Sequence, residues 1–430
     1  MKIAIIHDWL TGMRGGEKCL QVICRRFPQA RLLTLVHDPG STSAAIERMP
    51  ITTSFLQRFP AAARHYRCLL PLMPAAVSRL RVPGDVDLVL SFSHAVAKGI
   101  RPPPGVPHVC YCFTPMRYAW HRREDYFCLS GRFPRTPLVA VRNLLLDRMR
   151  DWDRATAGRV TDFVAISRTV ARRIAESYGR PSRVIYPPVD TRFYTPADDG
   201  LPAGMTRVPR ASCPCTGETP VPPGLTTGAS GATAGLPSSA GSTVGQANRG
   251  SPGPYYLCVS ALVPYKRIDL AVEACNRLGR RLVVIGSGPE RRRLARLAGP
   301  TVTLAGWRTD HEIRDHLRGA RALLFPGNED FGIVPLEAQA CGTPVIAFGQ
   351  GGATETVLSG DETRPGTGLF FDEQTAESLA QAIRRFEAHP HRFCPRLARR
   401  QAERFDTDRF ERQLVGYLEE VAASAPIAAA

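Results

Sequence analysis

Short apolar runs alternate with amphipathic stretches along this chain, and the alternation occurs twice. In the first half "KIAIIH" (2–7), "RLLTLV" (31–36), "VDLVLSFS" (86–93), "HVCYC" (108–112), "FVAIS" (163–167) and "SRVIYPP" (182–188) read as strands. Helical patterns such as "GEKCLQVICRRF" (16–27) and "RTVARRIAESYG" (168–179) lie between them. The series resumes with "YYLCVSAL" (255–262), "RRLVVIGSG" (280–288), "VTLAGW" (302–307), "RALLFPG" (321–327) and "TPVIAFG" (343–349). Near-continuous apolar runs separated by helices predict parallel sheets covered on both faces. The expected fold class is therefore α/β, with two Rossmann-like domains facing across a cleft. Ligands of such sheets bind at the carboxyl ends of the strands, so the cleft is the expected site.

Between the halves, residues 196–254 are dominated by Gly, Pro, Ser, Thr and Ala. That composition cannot bury enough apolar surface to offset ordering entropy, and it predicts a flexible linker or insertion. The expected boundaries are an N-terminal domain over 1–195, the linker, and a C-terminal domain over 255–405. A last helix and tail follow over 406–430, and the helix is free to pack back on the first domain. A chain of 430 residues is too long for one core and sufficient for two. No run of 18 apolar residues predicts a membrane-spanning helix. "MKIAIIHDWL" reads as a first buried strand rather than a signal peptide. Twelve cysteines, several inside apolar runs, suit a reducing compartment and a cytoplasmic protein.

The charge is unevenly divided. Residues 1–195 hold 30 Lys and Arg against 14 Asp and Glu, while residues 196–430 hold 26 against 25. A basic first half fits an anionic partner, foremost an anionic membrane at the inner face of the plasma membrane, touched peripherally. With no RNA-binding aromatic motif and no zinc finger, no nucleic-acid partner is expected.

The chemistry concentrates in "PGNEDFGIVPLEAQACGTPVIA" (326–347). A strand ends before it and a helix is expected to start near Phe331 or Gly332, with Pro335 in the first turn. Free amides there, from residues such as Ile333 and Val334, favour a diphosphate. Gly332 permits close backbone approach. Glu337, further along the helix, suits a vicinal diol such as ribose, and Glu329 in the preceding loop suits the hydroxyls of a second sugar. "SALVPYKRIDLAV" (260–272) sets Lys266 and Arg267 after a strand as cations for a diphosphate. "GSGPE" (286–290) offers Gly286 and Gly288 in a turn beside the ligand. The Asp-x-Asp at Asp85 and Asp87 stands where a strand begins, not where one ends, so no metal site is expected.

Lys266, followed by Glu329 and Glu337 with the "GSGP" and "GW" turns between, resembles retaining glycosyltransferases of family 4 with the GT-B fold. "VPYKRIDLAVEA" and "CFTPMRYAWH" further resemble bacterial mannosyltransferases of surface polysaccharide synthesis. The resemblance covers nearly all of the chain outside 196–254. It implies that Glu337 binds nucleotide ribose, Glu329 lies beside the donor sugar and Lys266 holds the diphosphate. It also implies that Gly306 and Trp307 contact the base, that Gly15 and Gly16 in "GMRGGEK" pack near donor phosphate or acceptor, and that His94 sits by the reacting sugar. His94, Glu329 and Lys266 are the expected catalytic residues. The implied reaction moves a hexose, mannose from GDP-mannose, to a saccharide or lipid-linked saccharide acceptor without a metal and without a cofactor beyond the nucleotide sugar. Ala261 and Phe113 depart from the family pattern, where arginine and histidine are frequent. Two alternatives stay open: hexosyl transfer from a UDP-sugar, and a non-catalytic GT-B partner subunit. A dehydrogenase would need a G-x-G-x-x-G turn after the first strand, which "HDWLTGMRGGEK" does not supply.

Overall fold

The computed structural model describes residues 1–120, 137–197 and 253–424. Nearly all of the 196–254 segment lies outside the described residues, as do His121 of the "CFTPMRYAWH" stretch and the tail 425–430. Thirteen strands form two sheets among the described residues. The first sheet holds β1 (Ile3–His7), β2 (Arg31–Thr34), β3 (Ile51–Thr53), β4 (Leu88–Ser93), β5 (His108–Cys112), β6 (Asp162–Ala165) and β7 (Arg183–Val184), in the order β3-β2-β1-β4-β5-β6-β7. The second holds β8 (Tyr256–Val259), β9 (Leu282–Ile285), β10 (Val302–Gly306), β11 (Ala322–Phe325), β12 (Val345–Phe348) and β13 (Gly368–Phe371), in the order β10-β9-β8-β11-β12-β13. Every pairing in both is parallel.

Strand order explains where a ligand can go. In each sheet the first strand has its sequence neighbour on one side and a later strand on the other. The order therefore reverses between β1 and β4, and again between β8 and β11. At such a switch point the flanking helices diverge to opposite faces and leave a crevice at the strands' carboxyl ends. β1, β4, β5, β11 and β12 are buried along their whole length, which accounts for their uninterrupted apolar sequences. β3 and β13 escaped the sequence reading. β3 is a three-residue, half-buried edge strand, and β13 emerges directly from the polar loop Asp361–Thr367.

The helices that matter to the site are α1 (Gly15–Arg26), α2 (Pro137–Thr156), α3 (Arg168–Tyr178), α4 (Ile268–Leu278), α5 (Asp310–Gly319), α6 (Ile333–Ala340), α7 (Pro395–Glu403) and α8 (Thr407–Ser424). α6 is buried from Pro335 to Ala340. Arg399 of α7 donates to the carbonyl of Ala340, placing a cation at the negative end of α6. α8 crosses back to the first sheet: Phe410 packs edge-on against Tyr111 of β5, with ring centroids 5.7 Å apart. Arg183 and Arg192 pair with Glu420 and Asp408 of α8. These ion pairs are exposed and contribute little, so the buried face of Phe410, Leu414 and Leu418 carries the attachment. No helix among the described residues is long and apolar enough to cross a membrane.

Leu414 is fully buried in that contact. Leu414→Ala is expected to lower stability by about 2–5 kcal/mol in urea unfolding. A loss well under about 1 kcal/mol would show that α8 is not part of the first domain's core.

Candidate active site

A cavity of about 460 Å³ lies where the two switch points face each other. His7 and His94 enter it from the ends of β1 and β4, Ser260 and Phe325 from the ends of β8 and β11. The two sheets thus direct their carboxyl ends into one space.

On the second half, the loop after β11 is shaped by close backbone packing. Gly332 has φ +84°, and a Cβ there would stand 2.7 Å from the ring of Phe325, so glycine is required on both counts. α6 then starts at Ile333, with Pro335 in its first turn. Ile333 and Val334 both line the cavity, and amides at a helix start lack intrahelical partners. A Cβ on Gly327 would meet the Lys266 backbone at 3.2 Å, so this glycine lets the loop rest against the turn carrying Lys266. Gly351 and Gly352 support the loop from beneath, against Glu329 and Phe331. The outcome is a direct ion pair between Lys266 and Glu329 inside the cavity.

Other expected site residues lie elsewhere. Arg267 adopts a left-handed conformation and turns its guanidinium to Asp269, 3.3 Å away, outside the cavity. In this arrangement its guanidinium does not reach the cavity that Ala261 lines. Gly286 and Gly288 sit where a Cβ would strike the carbonyls of Ser260 and Leu262 at 1.8 and 2.3 Å. Their requirement for glycine comes from packing of the turns after β8 and β9. Gly306 ends β10 with φ +76°, and Trp307 is 69% exposed; neither lines the central cavity. Asp85 and Asp87 engage Lys2 at the amino end of β4, the far end of the sheet from the site.

On the first half, Asp8 is fully buried and organises the β4 end. Its carboxylate accepts from the amides of His94, Ala95, Val96 and Ala97 at 2.7–3.0 Å, and from His94 Nδ1 at 3.0 Å. Burial alone would push this carboxyl up. The charge and hydrogen bonds of His94 outweigh burial and bring it down to about 2. With Nδ1 on Asp8 and Trp9 packed edge-on at 4.5 Å, the His94 ring is fixed in the cavity wall. His7 is pinned the same way, donating from Nδ1 to the Trp9 carbonyl at 2.9 Å, and burial holds its pKa below the ordinary value. Gly15 and Gly16 start α1 at the cavity rim. A Cβ on Gly15 would meet Ile333 at 3.0 Å, and one on Gly16 would meet the ring of Phe113 at 3.2 Å. Phe113 fills its place as an apolar wall among His7, His94 and Tyr111.

Glu337 opens into a second cavity, of about 340 Å³, which shares Ile333 with the first. There it is 4% exposed and accepts a hydrogen bond from Lys18 of α1 at 2.7 Å. Further contacts cross between the halves. Asp330 is held by Arg117 and Arg173, and its carbonyl accepts from Ser167 Oγ at 2.6 Å. Glu355 caps α3, accepting from the amides of Arg168 and Thr169. His7, Asp8, Lys18, Arg117 and Asp330 were not singled out from the sequence. A carboxylate directly at the end of a buried strand was a signal for Asp8; the cross-cleft pairs left none.

Two parallel α/β units with facing strand ends constitute a GT-B type fold. Residues 13–193 match the model for glycosyltransferase family 4, and residues 245–404 match that for glycosyl transferases group 1. Both halves of the chain are thus glycosyltransferase domains, the first of family 4 and the second of group 1. It is 34% identical over 163 residues to a GDP-mannose-dependent alpha-(1-6)-phosphatidylinositol dimannoside mannosyltransferase of Mycobacterium tuberculosis. That alignment takes in 37% of this chain and 41% of the relative, so the chain spans about two fifths of that relative's length. A D-inositol 3-phosphate glycosyltransferase of Kineococcus radiotolerans is 45% identical over 85 residues, 19% of this chain and 20% of the relative. Among solved structures, Anabaena HepE in complex with UDP and glucose superposes with a TM-score of 0.64 at 16% identity, over 97% of this chain and 99% of that one. Sucrose-phosphate synthase of Thermosynechococcus elongatus superposes at 0.66, also at 16% identity, over 99% and 100%. These structural likenesses show the fold alone.

The depressed pKa of Asp8 gives a pH dependence with a definite sign. A carboxyl at about 2 when folded and near 3.9 when unfolded stabilises the protein above about pH 4 and loses that contribution as pH falls toward 2. Asp8→Asn should therefore be less stable than wild type at pH 6, and the gap in urea unfolding should narrow between pH 4 and pH 2. A gap constant across that range would contradict the assignment.

Proposed function

We propose that this protein is a retaining hexosyltransferase that moves mannose from GDP-mannose to a hydroxyl of a saccharide or lipid-linked saccharide. The observation that carries the reading is a pair of neighbouring cavities that share Ile333 as a wall. Lys266, Glu329 and the first amides of α6 line one, Glu337 lines the other, and Ile333 borders both. A nucleotide sugar laid across Ile333 would set its sugar and diphosphate in the first and its ribose in the second. The choice of mannose and guanine draws on the mycobacterial relative's GDP-mannose dependence.

In this reading the bond between C1 and the phosphate oxygen breaks while the acceptor oxygen approaches C1 from the same face. The acceptor proton passes to the departing phosphate oxygen. Charge grows on the diphosphate, and Lys266 with the α6 amides stabilises it. Lys266 leaves Glu329 to do so, and Glu329 then accepts from hydroxyls of the donor sugar. His94, fixed by Asp8, presents Nε2 to the same sugar. Lys266 and the helix amides supply the neutralisation, so the reading includes no divalent ion.

The acceptor would sit on the basic first half. Phe59 and Leu72 are exposed among exposed Arg58, Arg64, Arg67 and Arg79, and no Asp or Glu occurs between Arg48 and Gly84. This surface supports peripheral contact with an anionic membrane.

Calorimetry against a panel of nucleotide sugars, with labelled transfer to a lipid-linked acceptor, tests the reading. GDP-mannose is expected to bind best and to be turned over at an undiminished rate in EDTA. Lys266→Met should lower kcat by roughly 10²–10³-fold, the usual cost of removing one donor from a developing oxyanion. Glu337→Ala should weaken GDP by roughly 10- to 100-fold, in line with about 1.5–3 kcal/mol for hydrogen bonds to a charged group. Preference for UDP-glucose would overturn the donor, and binding without transfer would favour a non-catalytic subunit.

A further inference from the structure

α1 belongs to the first half, yet one of its faces completes the cavity around Glu337 of the second. Lys18, Gln21, Val22 and Arg25 recur at helical spacing along that face and line the cavity together. Lys18 Nζ lies 2.7 Å from Glu337 Oε1 and 5.6 Å from the ring centroid of Tyr194. Glu337 is nearly inaccessible within α6, and a carboxylate so buried is costly unless a cation or donors face it. Burial by itself would lower the Lys18 ammonium, but Glu337, Asp310 and Asp190 around it raise its pKa instead. It remains a cation at any physiological pH.

A carboxylate offers about four acceptor positions on its two oxygens. Lys18 uses one, on Oε1. A vicinal diol can take others while the ammonium stays in place. The ion pair is therefore a support for a bound diol and not an obstacle to it.

We propose that Lys18 is a donor-site positioning residue supplied by the opposite half of the molecule. It holds the Glu337 carboxylate oriented toward the ribose hydroxyls and makes nucleotide affinity depend on the two halves being together. This rests on the nucleotide-sugar reading given above. A merely structural cross-domain bridge would change thermal stability and leave nucleotide affinity alone. A latch competing with the ribose would give the opposite sign, with tighter binding when it is cut.

The test is calorimetric titration of GDP into wild type, Lys18→Met, Lys18→Arg, Glu337→Gln and the double variant Lys18→Met/Glu337→Gln, each first shown to melt cooperatively. Lys18→Met is expected to weaken GDP about tenfold, and Lys18→Arg to restore it to within about threefold. The double variant should lose little beyond Glu337→Gln, because the two side chains act as one unit. In turnover, Lys18→Met should raise the donor KM about tenfold with kcat changed less than threefold. Unchanged or tighter GDP binding by a folded Lys18→Met, or full additivity in the double variant, overturns the proposal. Wild type that binds no nucleoside diphosphate overturns the donor reading and this proposal with it.

Discussion

The start of α6 is the constraint on which the site depends. A helix that begins at a strand's carboxyl end leaves amides without intrahelical partners, and here those amides open into a cavity that another sheet closes. Gly332 makes the sharp turn into the helix, and Gly351 and Gly352 let a neighbouring loop press against its back. Buried, and met at its far end by Arg399, the helix has little freedom to tilt. The positive end of its dipole is therefore held in a fixed direction, which is what stabilising a developing negative charge requires.

The second constraint is the set of contacts between halves. Asp330 between Arg117 and Arg173, Glu355 on the start of α3, and Glu337 with Lys18 all lie at or beside the cleft. Their side chains are mostly buried, so they are screened less than surface pairs and are costly to leave half-made. The C-terminal helix adds an apolar attachment on the first domain, so the chain passes between the halves twice. The contacts between the halves thus gather at the charges that flank the loop bearing Glu329.

Much of the fold was legible because parallel strands buried on both faces leave uninterrupted apolar runs. β3 and β13 were not, since a half-buried edge triplet and a strand rising from a polar loop carry no such run. The group at the α6 start, with Lys266, Glu329 and Glu337, was legible for a local reason: all of it falls within one loop-and-helix unit and the turn beside it. The cross-cleft partners were not. Lys18 and Glu337 are 319 positions apart, and Arg117 and Asp330 are 213 apart, so no local pattern links them. Gly286 and Gly288 illustrate an ambiguity of the opposite kind. Their glycines read as a ligand turn, but the structure shows backbone packed against backbone, a demand that looks identical in sequence. Arg267 likewise looked available for a phosphate, and Asp269, two residues on, takes it.

A crystal structure with GDP bound tests the central claim most directly. The account predicts a diphosphate within hydrogen-bonding distance of the Ile333 and Val334 amides and of Lys266 Nζ, released from Glu329, with the ribose hydroxyls on Glu337. Ordered nucleotide away from the α6 start, with Lys266 and Glu337 still in their present pairs and touching nothing else, would contradict it.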